Sequence, residues 1–266
     1  MGWFRKKGRP DAKDVAIRAV VLRHVFSYAM SLPQPATIKT ASASWSDEER
    51  SHFELESRSH RDEHWASLGD LKKYLSPSEK RFSEMTRSNV EEQALLNGSW
   101  RVEAITVLAW ALGQIADIPP FDEQSTPELL GGFMWIQPEL LISAATLRSN
   151  EEIEKERDRA QSWHWRSRTR RLIADGAKFP EDPNLASAGL HSFDDVVRQT
   201  SVLYVEDGTI DAHIDFDFPA FGKAYRDLSE EEWSTVRSIT MERHTAFNWL
   251  CGYAPGHRWD ETPTDT

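Results

Sequence analysis

The sequence predicts a mainly α-helical fold: a single multi-helix domain with a central buried helix and one small β-hairpin. Helix-start signatures recur along the chain, one long stretch is apolar on every side of a helix, and one Asp-Gly dipeptide separates two β-prone runs. The 266 residues suit one large domain. We therefore assign residues 1–266 to one domain and expect residues 1–12 to be flexible.

The first helix is expected after Asp14, because apolar residues recur on one face at Val15, Ala19, Leu22 and Phe26. A loop rich in Ser, Pro, Thr and Ala is expected from Ser31 to Ser44. Later helix starts carry the capping box Ser-x-x-Glu, whose two side chains satisfy backbone N–H groups. The box begins at Ser46, Ser76, Ser88, Ser149 and Ser229, with a weaker form at Thr126-Pro127-Glu128.

The stretch SWRVEAITVLAWALG, from Ser99 to Gly113, predicts the central helix. Beyond Glu103 it is apolar on every side, which is typical of a helix buried all round. Arg101 and Glu103 at its start should be partly desolvated, and an unpaired buried charge costs several kcal/mol. Two residues apart on a helix, they cannot face each other. We predict that Glu103 pairs with Arg243 of the last helix.

That last helix carries Glu242, Arg243 and His244 in succession within an apolar stretch, followed by Asn248. One hypothesis makes Glu103, Glu242, Arg243 and His244 a general acid–base site, because buried carboxylates and imidazoles have movable pKa values. The other, which we favour, is a structural polar network. Its members would be Arg101, Glu103, Glu242, Arg243, Asn248, Trp259 and Asp260.

The segment SVLYVEDGTIDAHIDF predicts the hairpin, at residues 201–217. Asp207-Gly208 would form its turn, since a two-residue hairpin turn needs positive φ at both central positions. After the turn, apolar residues alternate with Asp211, His213, Asp215 and Asp217, which would share one face of a strand. These four are weak candidates for metal ligands. A solvated face that protects a sheet edge is the favoured interpretation.

Composition limits the classes of function. The net charge of -11 disfavours nucleic-acid binding and is compatible with a basic protein partner. Cys251 is the only cysteine, so no intramolecular disulfide is expected, and a reducing, cytoplasmic setting follows. The first apolar stretch is interrupted by charged residues and predicts no membrane association. The oligomeric state is not predicted.

The stretch WHWRSRTRR, from Trp163 to Arg171, interleaves aromatic and basic side chains. Such interleaving can bind single-stranded nucleic acid by stacking and charge. It also ends a helix that opens with several glutamates, which matches the helix macrodipole. We favour the structural interpretation. Standard motifs for nucleotide binding, hydrolytic catalysis or zinc do not occur in the sequence, and no cofactor is indicated.

Four segments resemble the bacterial family DUF4272, a domain of unknown function: NGSWRVEAITVLAWALGQI, LRSNEEI, FPAFGKAYRDLS and MERHTAFNWLCGYAPGHRWDETPTDT. The most specific part is the closing motif, with Glu242-Arg243-His244, Asn248-Trp249-Leu250 and Trp259-Asp260. The likeness runs from the first helix to Thr266, and the stretch 180–206 is expected to be particular to this member. The resemblance implies a mainly helical, intracellular bacterial protein and supplies no catalytic residues.

The end of the chain, WDETPTDT, is acidic and contains a tryptophan that a disordered tail would not need. We predict that Trp259 anchors this tail between helices. Asp260 or Asp265 would then contact an arginine, with Arg101 and Arg166 as candidates.

Two functional hypotheses follow. The favoured one is a non-enzymatic protein-interaction or regulatory module, of the kind that neutralises a toxin. The alternative is an enzyme with an unrecognised acid–base or metal-dependent site.

Overall fold

The computed structural model describes residues 8–264, and the fold of this range is mainly α-helical, as predicted. Within it, one two-stranded antiparallel sheet accompanies the helices. Predictions about residues 1–7, Asp265 and Thr266 lie outside this range. The helices are α1 (Ala12–Ser31), α2 (Pro35–Ala41), α3 (Asp47–Ala66), α4 (Pro77–Ser83), α5 (Glu92–Ala111), α6 (Pro127–Leu130), α7 (Pro138–Ser143), α8 (Asn150–Ala174), α9 (Pro183–Ser187), α10 (Phe193–Glu206) and α11 (Glu230–Leu250), and the strands are β1 (Pro219–Ala220) and β2 (Lys223–Ala224).

Tertiary contacts group the chain into two compact units. Unit 1 comprises Met1–Ile118, Ser125–Arg148 and Gly252–Thr262, and unit 2 comprises Pro119–Gln124, Ser149–Cys251 and Pro263–Thr266. The chain enters each unit more than once, so the two are interleaved in sequence. The assignment of residues 1–266 to a single domain stays a prediction.

Most helix starts follow the capping-box prediction. The boxes at Ser46, Ser76, Ser149 and Ser229 are formed, each with both of its hydrogen bonds. The box expected at Ser88 is wrong, because α5 begins after Glu91 without a side-chain cap. Two further boundaries also differ from the prediction. The first helix starts earlier, with Asp11 as its N-cap and Asp14 completing the box, and the expected loop Ser31–Ser44 contains α2.

In unit 1, α1 packs against α5. Every residue from Val102 to Leu112 is buried, which confirms the prediction of a central helix enclosed on all sides. Ala12–Ser44 is the one described helical stretch that is long and apolar enough to cross a membrane, and 78% of its apolar window is buried inside the protein. A core helix has the same property, so the absence of membrane association stays a prediction.

Gly98 of α5 lies against Ala29 of α1, and a Cβ added at Gly98 would stand only 2.7 Å from the Cβ of Ala29. We expect Gly98→Ala to lower the free energy of unfolding by about 1–3 kcal/mol, because the two helices must move apart. Denaturant unfolding measures this change. Gly132→Ala is the matched control, since no atom lies within 4 Å of its added Cβ. A Gly98→Ala protein as stable as the wild type would contradict the close packing.

In unit 2, α8 packs against α11. The hairpin predicted for residues 201–217 is wrong in position, because α10 continues to Glu206. Asp207 is the C-cap of that helix, and Gly208 follows with φ +76°. The physical reason is that a left-handed glycine serves a helix C-terminus as well as it serves a hairpin turn.

The small hairpin lies further along the chain, where β1 pairs with β2. Its two turn residues, Phe221 and Gly222, have φ +52° and +71°. Just before it, Ile214 and Asp217 form an isolated bridge around Asp215 and Phe216, which also have positive φ. The prediction of one small hairpin is therefore correct in kind.

Candidate functional site

Glu103 of α5 is fully buried in unit 1. Its carboxylate accepts hydrogen bonds from the backbone N–H of Ser125 at 2.7 Å and from the Ser125 hydroxyl at 2.9 Å. Such donors offset part of the cost of burying a carboxylate. Sequence reasoning missed Ser125 because no periodic pattern surrounds it. Arg243 belongs to unit 2, and the pairing predicted between Glu103 and Arg243 stays a prediction.

The tail residues Trp259 and Asp260 belong to unit 1. Trp259 is 4% exposed, and the guanidinium of Arg18 lies 5.0 Å from its ring centroid. The Asp260 carboxylate accepts hydrogen bonds from the backbone N–H and the hydroxyl of Ser78, both at 2.8 Å. Burial alone would raise the pKa of Asp260, but the Ser78 hydrogen bonds and the charge of Arg101 bring that pKa below its usual value.

Arg243 of α11 is fully buried in unit 2. Its guanidinium donates to the backbone carbonyls of Pro119 and Glu123 and lies 5.2 Å from the ring centroid of Phe121. These contacts compensate in part for removing the charge from water. Glu242 is 7% exposed, and Glu103 and His244 are fully buried. All four residues proposed for acid–base catalysis are therefore enclosed, which favours the structural interpretation of them.

His244 belongs to a buried chain of hydrogen bonds between α8 and α11. Its Nδ1 lies 2.9 Å from Nδ1 of His164, and its Nε2 lies 2.9 Å from Nδ2 of Asn248. The Asn248 side chain also donates to the carbonyl of Pro263 at 2.8 Å and accepts from Nε of Arg157 at 2.9 Å. Sequence reasoning expected a partner for Asn248 and missed His164.

The imidazoles of His164 and His244, both in this hydrogen-bond chain, are uncharged at neutral pH. Burial, together with the positive charges of Arg168 and Arg237, lowers the pKa of His164 to about 4. Burial, together with His164 and the positive charge of Arg157, lowers the pKa of His244 to about 3. The two rings are therefore neutral hydrogen-bonding groups, not fixed cations.

His164 opens onto a cleft of about 270 Å³ on unit 2. Three arginines line it with His164: Arg168, Arg171 and Arg237. The remaining lining residues are small or apolar: Ser167, Met241 and Thr264. Helical spacing explains the grouping, because 164, 168 and 171 recur on one face of α8, and 237 and 241 recur on one face of α11. Arg171 forms an ion pair with Asp175, whereas Arg168 and Arg237 form no ion pair with any described residue.

The ring nitrogen of His164 that faces the cleft can be identified by elimination. His164 is 7% exposed, and its Nδ1 is occupied by His244. Its Nε2 has no hydrogen-bond partner among the described residues, and it is not among the side-chain atoms that are both unpartnered and fully enclosed. Nε2 therefore reaches solvent. We therefore assign Nε2 to the cleft. The stretch Trp163–Arg171 thus has a buried structural face, as favoured from the sequence, and an exposed basic face.

The weak metal candidates do not form a ligand set. Asp217 is fully buried and forms a bidentate ion pair with Arg166, whose Nε and Nη2 donate to the two carboxylate oxygens at 2.6 and 2.7 Å. The side chain of Asp211 is 96% exposed, and His213 stacks on Phe216. Within residues 8–264, no group of three His, Cys, Asp or Glu side chains is arranged to hold a metal ion. The alternation that suggested a shared face fails because this segment is not a strand.

A model of the protein family described as a domain of unknown function, DUF4272, matches residues 7–189 of the 266-residue chain. Comparisons with curated proteins and with solved structures found no match. The matched segment ends inside the stretch 180–206, so the closing motif from Glu242 onward lies beyond it, in contrast to the extent expected from the sequence. Because the match covers more than half of the chain, the protein belongs to the DUF4272 family.

Proposed function

We propose that the protein is a non-enzymatic binding module with a regulatory role, and that the arginine-lined cleft of unit 2 binds an anionic group. One observation carries this proposal: Arg168 and Arg237 have no ion-pair partner among the described residues, and they flank a buried imidazole that opens onto the same cleft. Guanidinium groups and ring N–H groups are suited to the oxygens of phosphates and carboxylates. In a protein of net charge -11, such a local concentration of positive charge marks a place for an anion.

The test is a titration of ¹⁵N-labelled protein with inorganic phosphate at low ionic strength, followed by NMR. We expect saturable shifts in residues of the cleft, with a Kd of about 1 mM or below. Arg237→Gln should weaken binding about tenfold, because it removes a charged donor. Arg58→Gln is the matched control, since it removes the same charge from an exposed helical position outside the cleft.

Absence of saturable shifts would refute the proposal. An equal loss of affinity in Arg58→Gln would also refute it, because the effect would then come from net charge alone. Since surface electrostatics are screened by salt, the Kd should rise as ionic strength rises.

A second candidate function rests on α3, and it is the basic protein partner expected from the composition. This helix buries only Ser57 and Trp65 along its length, and acidic residues outnumber its arginines. We propose α3 as the surface for that partner. A pull-down from native cytosol at low salt should recover a basic protein that elutes as salt rises. Recovery of the same protein after reversal of the charges at Glu48, Glu56 and Glu63 would exclude α3 as the surface.

A further inference from the structure

We infer that the arginine cleft selects a fully deprotonated, doubly charged oxyanion, and that a phosphate monoester is the class of ligand it takes. This inference rests on the proposed function, since it concerns the same cleft. It is carried by a fixed direction of hydrogen bonding through Asn248, His244 and His164, which makes the cleft a set of donors.

The direction begins at Asn248, whose amide has only one orientation. Its oxygen faces Nε of Arg157, which can only donate, and its nitrogen faces the carbonyl of Pro263, which can only accept. The Asn248 NH₂ group therefore also donates to Nε2 of His244. A neutral His244 must then carry its proton on Nδ1.

The second step passes this direction to the cleft. His244 Nδ1–H donates to Nδ1 of His164, which must accept. The neutral His164 ring then carries its proton on Nε2, the nitrogen that we assign to the cleft. The tautomer of His164 is thus set by the contacts of Asn248, which lies two hydrogen bonds away along the network, and no other group of the cleft is needed.

The same chain opposes protonation of His164. A second proton on its Nδ1 would face the Nδ1–H of His244, and His244 cannot transfer its proton to Nε2 because the Asn248 NH₂ group occupies that side. Among the described residues, the charges that act on the two rings are Arg168 and Arg237 on His164 and Arg157 on His244, whereas Arg171 of the cleft is paired with Asp175, and Arg157 also pairs with Asp158. Burial, with the charges of Arg168 and Arg237, keeps the pKa of His164 low.

In the described lining of the cleft, all charged and aromatic side chains therefore act as hydrogen-bond donors. Three guanidinium groups and one imidazole N–H face the cleft, no carboxylate is part of its described lining, and the hydroxyl of Thr264 can also donate. A protonated ligand oxygen would meet a donor and lose a hydrogen bond. The cleft volume of about 270 Å³ lies below that of sites for drug-sized ligands and suits a phosphoryl head group.

The experiment compares three anions with the wild-type protein between pH 8 and pH 5, by NMR titration. Sulfate keeps both charges throughout, methyl phosphate gains a proton near pH 6, and dimethyl phosphate has one charge. We expect methyl phosphate to weaken about tenfold on going to pH 5, sulfate to change less than about twofold, and dimethyl phosphate to bind at least about tenfold more weakly at pH 8. Histidine ¹⁵N shifts should show protonated Nε2 in His164 and protonated Nδ1 in His244.

Sulfate binding that strengthens at pH 5 would overturn the inference, because His164 would then be taking up a proton. Methyl phosphate binding that is independent of pH, or reversed tautomers, would also overturn it while leaving the proposed function intact. Failure of all three anions to bind would instead refute the proposed function.

A pair of variants tests the donor itself. His164→Phe should weaken sulfate binding about tenfold or more, and His164→Gln, which keeps an N–H donor, should weaken it less. Thermal unfolding establishes that both variants are folded. Equal affinity of the two variants for sulfate would exclude His164 as a donor to the ligand.

Discussion

Replacing Asp217 with asparagine is expected to lower the free energy of unfolding by about 3–5 kcal/mol, because it leaves the buried guanidinium of Arg166 without its counter-charge. The Asp217 carboxylate accepts from Nε and Nη2 of Arg166, and from the backbone N–H groups of Phe218 and Arg226 at 2.8 and 3.0 Å. An asparagine retains the shape and one of the two oxygens, so it cannot accept all of these bonds. Urea unfolding followed by tryptophan fluorescence measures the loss.

Asp211→Asn is the matched control for this prediction. Asp211 is 96% exposed, and its ion pair with Arg159 is 3.7 Å long, so its removal should leave stability unchanged. A double variant, Arg166→Met with Asp217→Leu, should recover much of the lost stability, because a buried ion pair can be replaced by apolar side chains of similar size. Equal unfolding midpoints for Asp217→Asn and Asp211→Asn would show that the buried pair contributes little.

The helix starts could be predicted because the signal is local. At Ser46, Ser76, Ser149 and Ser229, the serine and the glutamate three residues later satisfy each other's backbone N–H groups within one turn. No distant part of the chain is needed. The central helix could also be predicted, since an apolar surface on every side is stable only when it is buried.

The hairpin was misplaced because its signal is ambiguous at short range. Gly208 adopts the positive φ that the Asp-Gly pattern indicates, but it does so after the C-cap of α10. The choice between the two structures depends on the packing of residues before the glycine. Val197 and Ser201 are buried at helical spacing, and this tertiary burial outweighs the β propensity of the segment.

The Arg166–Asp217 pair and the cleft could not be predicted for a different reason. Each joins residues far apart in sequence, and spacing within one element cannot show which face another helix covers. Arg166 and Arg168 stand two residues apart, yet Arg166 is buried against Asp217 and Arg168 is exposed beside the cleft. The basic stretch could be identified from the sequence, but its division into a structural and a ligand-facing side could not.

Acidification from pH 7 to pH 5 is expected to destabilise the protein through His164 and His244 by about 2 kcal/mol for each residue. Their pKa values in the folded protein, about 4 and about 3, lie below the value of about 6.5 in the unfolded chain. Below pH 6.5 the unfolded chain therefore binds more protons, so stability is present above this pH and is lost as the pH falls toward the folded-state values. Urea unfolding at a series of pH values measures the loss.

Three other histidines also have lowered pKa values and contribute to the total pH dependence: His24, His60 and His64. A difference between variants therefore isolates the contribution of His164 and His244. His244→Gln should reduce the loss of stability between pH 7 and pH 5 by about 2 kcal/mol, because one buried titrating group is gone and an amide can still form hydrogen bonds. His52→Gln is the control, since that side chain is 70% exposed and should leave the pH dependence unchanged. If His244→Gln and the wild type lose the same stability on acidification, then His244 is not held neutral in the folded protein. The donor direction inferred for the cleft would lose its support, because a charged His244 cannot accept a hydrogen bond from Asn248.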